Sequence, residues 1–233
     1  MLAAGAIVSE TPPTGRAVRF ELAELEEQIE AFLQRWPEAA ADRRAQWFRG
    51  EPGALLRVPL LAPRVRPGER LADYRRRLPG PHERSVLLLL RAGAMAIGYW
   101  DGDDLLHHKA VRRYVVRGHG KAQSLHAKTK GRSRYGARLR LQNWKRLLAE
   151  TNERLADYWH EYGEPERAFV AAPVRVLADL VRAEPAPPWG DPASVQRVPM
   201  HVHRPDHAEL LRVRSWLARG RLELPADGTG AGG

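Results

Sequence analysis

The chain has 233 residues and no cysteine, which excludes disulfides and thiolate metal sites and fits the reducing cytoplasm, where we expect the protein to act. The most apolar run, Ser85 to Trp100, is interrupted by Arg91 and falls short of the ~20 residues that a membrane helix needs. We therefore expect no membrane partner.

The positive charge is concentrated in one segment. Residues 109–146 contain 13 Lys or Arg and no Asp or Glu, so this segment carries +13 while the whole chain carries +10, which leaves −3 for the rest. A charged run is usually a solvated surface, but such surfaces mix both signs. A segment of one sign favours a polyanionic partner such as nucleic acid.

The first 80 residues predict few elements. Residues 1–16 are expected to be disordered. Residues 21–36 have apolar side chains at helical spacing and predict an amphipathic helix that stops before Pro37. Residues 54–61 predict a short strand, and a connection rich in Pro and Arg follows as far as Gly80.

A hairpin is predicted next. The continuously apolar run 85–92 is typical of a strand buried on both faces, Ala92-Gly93 predicts the turn, and residues 95–100 predict the return strand. Asp101 to Asp104 form the next turn, and residues 105–118 form one long strand or two joined by a bulge.

Three patterns raise the question of a metal site. The carboxylates at 101–104 have no partners at a fixed spacing elsewhere. His107 and His108 are sequence neighbours and would face opposite sides of a strand, whereas His201 and His203 share a face but have no third ligand. We therefore predict neither a metal nor a cofactor.

A long helix of about eight turns is predicted from near Arg132 to near Gly163, basic in its first half and acidic in its second. Trp144 and Trp159 are expected to pack in the core rather than stack on bases. The apolar positions at helical spacing are Leu141, Trp144, Leu148, Thr151, Leu155 and Trp159.

Strands and helices alternate in the remaining sequence. Residues 167–173 and 195–203 predict strands, residues 174–182 a helix, and residues 206–220 a closing helix capped by Asp206. This order predicts an α/β fold, a mixed β-sheet covered by helices, with a long basic loop leading into a long helix. The predicted boundaries are a single domain at 17–222, with a core at 84–172, flanking elements at 17–80 and 173–222, and a flexible tail at 223–233.

About fourteen residues between Arg117 and Arg132 lack hydrophobic periodicity, and loops of this length tend to be functional or disordered. The loop lacks the spacing of a phosphate-binding P-loop, and Ser124 beside His126 has no orienting acid. The side chain that remains is Gln123. Its amide cannot titrate, but it can orient a water molecule and stabilise an oxyanion on an already activated substrate, such as an aminoacyl ester of tRNA.

Residues 84–172 resemble the bacterial Vms-type release-factor-like family, which is related to the middle, Gly-Gly-Gln-bearing domain of eukaryotic and archaeal class I release factors. The resemblance rests on the order of strand, loop, glutamine and basic helix, with "YVVR" before the loop and "GARLR" after it. Gly120-Lys121-Ala122-Gln123 matches the Gly-x-x-Gln pattern of that family. Lys121 and Ala122 stand where release factors have the second glycine, which reduces backbone freedom.

The resemblance implies a monomeric peptidyl-tRNA hydrolase that binds the acceptor end of tRNA and the ribosomal RNA of the large subunit. Gln123 would be catalytic, and Gly118, Gly120 and Ala122 would shape the loop. A tRNA endonuclease that cuts near the 3′ end, or a noncatalytic RNA-binding factor, remains as an alternative. The residues expected to contact RNA are Arg112, Arg113, Arg117, His119, Lys121, Lys128, Lys130, Arg132, Arg134, Arg138, Arg140 and Lys145.

Overall fold

The computed structural model forms two compact units. The terminal unit comprises Met1–Leu78 and Trp216–Gly233, and the central unit comprises Pro79–Ser215. The predicted disordered N-terminus, loop tip and end of the tail lie outside the described residues, and the predicted domain boundaries stay a prediction. The structure describes residues 16–78, 83–113, 115, 132–190 and 194–225.

The described parts of the chain form ten strands and five α-helices. The strands are β1 (Ala17–Glu21), β2 (Ala40–Ala41), β3 (Phe48–Gly50), β4 (Ala54–Arg57), β5 (Arg84–Arg91), β6 (Ala94–Asp101), β7 (Asp104–Arg112), β8 (Arg167–Ala171), β9 (Val195–Arg197) and β10 (Arg219–Glu223). The helices are α1 (Leu25–Arg35), α2 (Leu71–Arg76), α3 (Arg132–Tyr162), α4 (Val174–Val181) and α5 (His207–Leu217).

The central unit contains a mixed sheet with the strand order β7-β6-β5-β8-β9. β5 pairs antiparallel with β6 and parallel with β8, and every residue from Ser85 to Leu90 is buried. A continuously apolar strand suits this central position because both of its faces are covered. The mixed α/β class predicted from the sequence is confirmed.

The predicted turns and the cap of the closing helix are also present. Gly93 adopts a φ of 90° between β5 and β6, a conformation that favours glycine. β6 ends at Asp101 and β7 begins at Asp104, as the Asp-Gly turn predicted. The Asp206 Oδ1 atom accepts a hydrogen bond of 2.9 Å from the Glu209 N–H, and so caps α5.

Helix α3 has 31 residues, and its bounds match the predicted ones. Leu147, Leu148 and Leu155 are buried in the core cluster of the central unit. The last turn is held by two donors, since the Tyr99 hydroxyl donates to the Gly163 carbonyl at 2.8 Å and the Arg84 guanidinium donates to the Tyr162 carbonyl at 2.7 Å. These bonds satisfy carbonyls that have no partner within the helix.

One position of the predicted apolar stripe on α3 is wrong. Leu141 has the helical spacing of a core residue, yet it is 57 % exposed. Between residues 136 and 146 no side chain of α3 is buried, and burial begins at Leu147. The basic half of the helix therefore extends past the apolar cluster that covers its other half.

The terminal unit contains a second, antiparallel sheet with the order β1-β10-β4-β3-β2. Phe20, Phe48 and Leu56 lie on its inner face and form one buried cluster with Ile29 and Phe32 of α1. The predicted amphipathic helix and the strand at β4 are confirmed. The sequence did not reveal the other strands of this sheet or α2.

Glu223, where the predicted tail begins, is the last residue of β10 and pairs with Ala17 and Leu55. In the described part of the chain, no helix combines the length and apolar character that crossing a membrane requires.

Candidate nucleic-acid interface

The basic segment runs from edge strand β7 to helix α3, so both ends of the predicted loop belong to the central unit. Arg132 and Arg134 lie in the first turn of α3. Gln123 and the predicted loop-shaping and RNA-binding residues around it lie outside the described residues; these are Arg117, Gly118, His119, Gly120, Lys121, Ala122, Lys128 and Lys130.

The exit of the chain from β7 is fixed by Arg113. Its backbone N–H donates to the Gly93 carbonyl at 2.8 Å, so the hairpin turn and the start of the loop are joined. Its guanidinium pairs with the Glu150 carboxylate of α3, and the two side chains are 33 % and 20 % exposed. Glu150 is the first acid of α3. Arg113 therefore ties β7 to α3, and much of its charge is already compensated.

Arg112 has a weaker partner. Its guanidinium lies 3.5 Å from Asp206 Oδ2, and both side chains are exposed. Exposed pairs contribute little to stability, so this arginine is free to exchange Asp206 for a phosphate. Of the two arginines at the end of β7 that were predicted to contact RNA, Arg112 has the less compensated charge.

The first half of α3 carries cations without carboxylate partners. Arg138 and Lys145 are exposed and Arg140 is half-buried, and none of them forms an ion pair with a carboxylate of the described residues. Arg146 is also exposed, and within the same described part it lacks such a partner too. Arg146 was not among the residues assigned to RNA, although its place in the acid-free segment was the available signal.

The two tryptophans of α3 pack into the central unit, as predicted. Trp144 and Trp159 are half-buried against the apolar cluster. The Trp144 indole N–H also donates to Asp179 of α4 at 3.4 Å. Neither ring is presented as a platform for a base, so the basic half of α3 offers charge rather than stacking.

The two histidines of β7 lie on opposite faces of the sheet, as the strand alternation predicted. His107 Nδ1 lies 2.8 Å from the hydroxyl of Tyr158, and burial raises the pKa of that tyrosine to about 12. The His108 ring stacks on His207 with the ring centroids 4.0 Å apart. Burial, and next the neighbouring His207, lower the pKa of His108. Both histidines are engaged in packing.

In the remaining two patterns that raised the question of a metal site, an arginine lies beside a candidate ligand. The Arg91 guanidinium contacts both ring nitrogens of His201, at 3.0 and 3.1 Å. Asp103, in the turn before β7, lies 3.9 Å from Arg214 of α5. No group of three or more His, Asp or Glu among the residues described by the structure is placed to hold a metal ion.

The arrangement therefore presents unpaired cations on one side of the loop and a fixed strand end on the other. Such a segment can bind phosphates without reading bases.

Comparison with known proteins gives a family match and one weak structural similarity. The family model described as Bacteroidetes VLRF1 release factor matches residues 85–223, which is more than half of the chain. A solved structure titled "Vms1 mitochondrial localization core" is similar over 86 % of this chain and 82 % of its own, with 12 % identity and a TM-score of 0.43. No curated protein matches the sequence.

The family match covers the hairpin, the basic segment and the long helix, which are the elements on which the resemblance to release-factor-like proteins rested. The chain therefore belongs to the Bacteroidetes VLRF1 release factor family, with a function related to ribosome rescue and a general interaction with ribosomes or tRNA.

Proposed function

We propose that the protein is a peptidyl-tRNA hydrolase that releases nascent chains from tRNA on stalled ribosomes or large subunits. The observation that carries the proposal is Gln123, the glutamine of the Gly-x-x-Gln pattern, within an acid-free basic segment of a release-factor family member. The same proposal makes the protein a cytoplasmic monomer that works without a cofactor.

The reaction is hydrolysis of the ester that joins the peptide to the terminal ribose of tRNA. Water attacks the ester carbonyl carbon, the bond from that carbon to the ribose oxygen breaks, and the products are a peptide carboxylate and a free ribose hydroxyl. One proton of the water reaches the leaving oxygen, with the neighbouring 2′-hydroxyl available to relay it, and the other is released to solvent as the peptide carboxyl group ionises.

Gln123 acts by position rather than by proton transfer. Its amide N–H can donate to the oxyanion and its carbonyl can accept from the attacking water, while the group keeps one protonation state at every working pH. An ester is already activated, so placing water against it provides a large part of the rate. Gly118 and Gly120 would let the loop tip approach the ester closely.

The cations of the segment hold the loop among RNA phosphates. Arg112, Arg138, Lys145 and Arg146 are the described members that are best placed for this, because they are exposed and their charges are weakly compensated or uncompensated. Four cations are enough to position the protein on the RNA backbone, and such contacts fix its orientation without sequence preference.

The proposal is tested by incubating purified stalled large subunits that carry labelled peptidyl-tRNA with the protein, then analysing the peptide and the RNA 3′ end together. Release of peptide with an intact CCA end supports hydrolysis. A shortened tRNA would instead identify an endonuclease, and binding without any product would identify a noncatalytic factor; either result contradicts the proposal.

Binding to RNA is expected to depend steeply on salt. If the segment neutralises roughly six to eight phosphates, a plot of log K against log salt should have a slope of about −4 to −7. The variant Arg138→Gln/Lys145→Gln/Arg146→Gln should make this slope less steep by about 2. Fluorescence anisotropy with labelled tRNA at several salt concentrations measures it. Arg154→Gln, in the acidic half of α3 beside Asp157, is the control and should leave the slope nearly unchanged.

The rate of peptide release is expected to show no inflection between pH 6 and 7, because the amide of Gln123 does not titrate. Single-turnover release measured from pH 5.5 to 8.5 checks this. A histidine-like inflection that disappears on changing His119 or His126 would transfer the catalytic role to that histidine.

A further inference from the structure

The outer face of the terminal-unit sheet carries an unusual arrangement of arginines. Register pairs Arg19 of β1 with Arg221 of β10, and pairs Arg221 in turn with Arg57 of β4. We call Arg19, Arg221 and Arg57 the arginine row. These side chains lie opposite the buried Phe20, Leu56 and their neighbours, so they project from the face that the apolar cluster does not use.

The arginine row opposes folding. Directly paired residues of an antiparallel sheet bring their Cβ atoms within about 5.5 Å, and like charges at that distance are destabilising. At Arg57, burial lowers the pKa most; Arg221 and Arg19 lower it further, and Glu223 acts against them. The three cations that are paired in register do not stabilise the sheet, so their presence needs another explanation.

Carboxylates compensate only part of this face. Arg221 pairs with Glu223 at 2.7 Å, and at the end of the strand pair Arg219 pairs with Glu21 at 2.9 Å. Arg19 and Arg57 form no ion pair with a carboxylate of the described residues. Within the described residues, the two ends of the row, Arg19 and Arg57, therefore lack an ion-paired carboxylate, while its middle member, Arg221, has one.

An aromatic ring completes the arrangement. Trp47, which immediately precedes β3, is half-buried, and the Arg57 guanidinium lies 5.4 Å from its ring centroid. Guanidinium planes and aromatic rings are the surfaces on which proteins stack unpaired bases, and arginine is suited to bind the adjoining phosphates. A row of cations about 10 Å long across three strands, ended by a tryptophan, has the composition of a platform for single-stranded nucleic acid.

We propose that the outer face of the terminal-unit sheet, through Arg19, Arg57, Arg221 and Trp47, is a second binding surface for single-stranded RNA. We name RNA as the polyanion because the chain belongs to a release factor family. The inference rests on that family assignment and on the geometry of the sheet, and it does not depend on catalysis by Gln123.

The test uses the full chain and a single-stranded RNA oligonucleotide containing 4-thiouridine. Photocrosslinking followed by mass spectrometry should identify a peptide that contains Trp47. The double variant Arg19→Gln/Arg57→Gln should weaken this crosslink, reduce the affinity of the outer face on the order of tenfold at 0.1 M salt, and make the salt slope of the remaining crosslinking less steep by about 1.4.

A charge-matched control separates a site from net charge. Arg75→Gln/Arg76→Gln removes two arginines from α2, which belongs to the cluster on the inner face of the sheet. This control should keep the Trp47 crosslink. Equal loss in both variants would mean that only net charge matters, and would overturn the inference.

The stability of the Arg19→Gln variant distinguishes an RNA-binding role of Arg19 from a structural role. Arg19→Gln relieves repulsion with Arg221, so its urea midpoint should stay equal to the wild type or rise while the crosslink weakens. A fall in the midpoint would assign Arg19 a structural role and contradict the proposal. Binding of the arginine row to vesicles of phosphatidylserine and phosphatidylcholine, without binding to RNA, would also contradict the proposal. Because Gln123→Ala should leave the crosslink intact, failure of peptide release leaves this inference standing.

Discussion

Replacing Leu155 by alanine is expected to lower the free energy of unfolding of the central unit by about 2–5 kcal/mol. Leu155 is fully buried in the second half of α3, within the cluster that joins this helix to the mixed sheet. Alanine would leave a cavity there, because the surrounding strands relax only in part. Urea denaturation followed by circular dichroism measures the change.

The same substitution at Leu141 is the matched control. Leu141 lies in the same helix and is 57 % exposed, so Leu141→Ala should change stability by less than about 0.5 kcal/mol. Equal losses for the two variants would mean that the basic half of α3 is packed in solution. That result would remove the exposed cationic surface on which the proposed RNA binding depends.

Replacing Gln123 by alanine is expected to lower the single-turnover rate of peptide release by about 10²–10³-fold, the loss typical of removing one oxyanion donor. Because the change deletes no charge, binding of the protein to large subunits should be unaffected. Rapid mixing with preloaded stalled subunits at saturating protein gives the rate, and sedimentation of the same mixtures gives the binding.

Gln142→Ala is the control for that substitution, since Gln142 is an exposed glutamine of α3 in the same basic segment. It should keep the wild-type rate. A Gln123→Ala protein that releases peptide as fast as the wild type would contradict the assigned role. A loss of release accompanied by an equal loss of binding would indicate that Gln123 anchors the loop and does not act on the ester.

Elements with strong local signals were predictable from the sequence. The β5–β6 hairpin combines a continuous apolar run with a glycine turn, and α3 combines long helical periodicity with Gly163 at its end, where φ is 88°. The predicted bounds of α3 agree with the structure. In both elements, local propensity and burial favour the same structure, which is the condition under which pattern-based prediction works.

The terminal-unit sheet was not predictable in the same way. Its strands are two to five residues long, too short for a period-two pattern to stand out. β1 pairs with β10 from the opposite end of the chain, so no local turn signal marks the contact. Arg19, Arg221 and Arg57 are distant in sequence, and only the register brings them into one row.

The candidate interface was predictable in location but not in detail. An acid-free window is visible in the sequence, and the free cations of α3 lie within it. The pairing of Arg113 with Glu150 depends on how α3 crosses the end of β7, which the sequence does not encode locally. The exposure of Leu141 has a similar cause, because the fully buried residues of α3 begin at Leu147 although the helical pattern of apolar residues starts nearer the N-terminus of the helix.

The most direct test of the central claim is to carry out the release reaction in ¹⁸O-labelled water and to determine the mass of the released peptide by mass spectrometry. Ester hydrolysis predicts one ¹⁸O atom in the C-terminal carboxyl group and an unlabelled tRNA with an intact CCA end. A peptide that leaves without ¹⁸O and still carries a nucleotide fragment would show that the broken bond lies in the tRNA backbone, and would contradict peptidyl-tRNA hydrolysis.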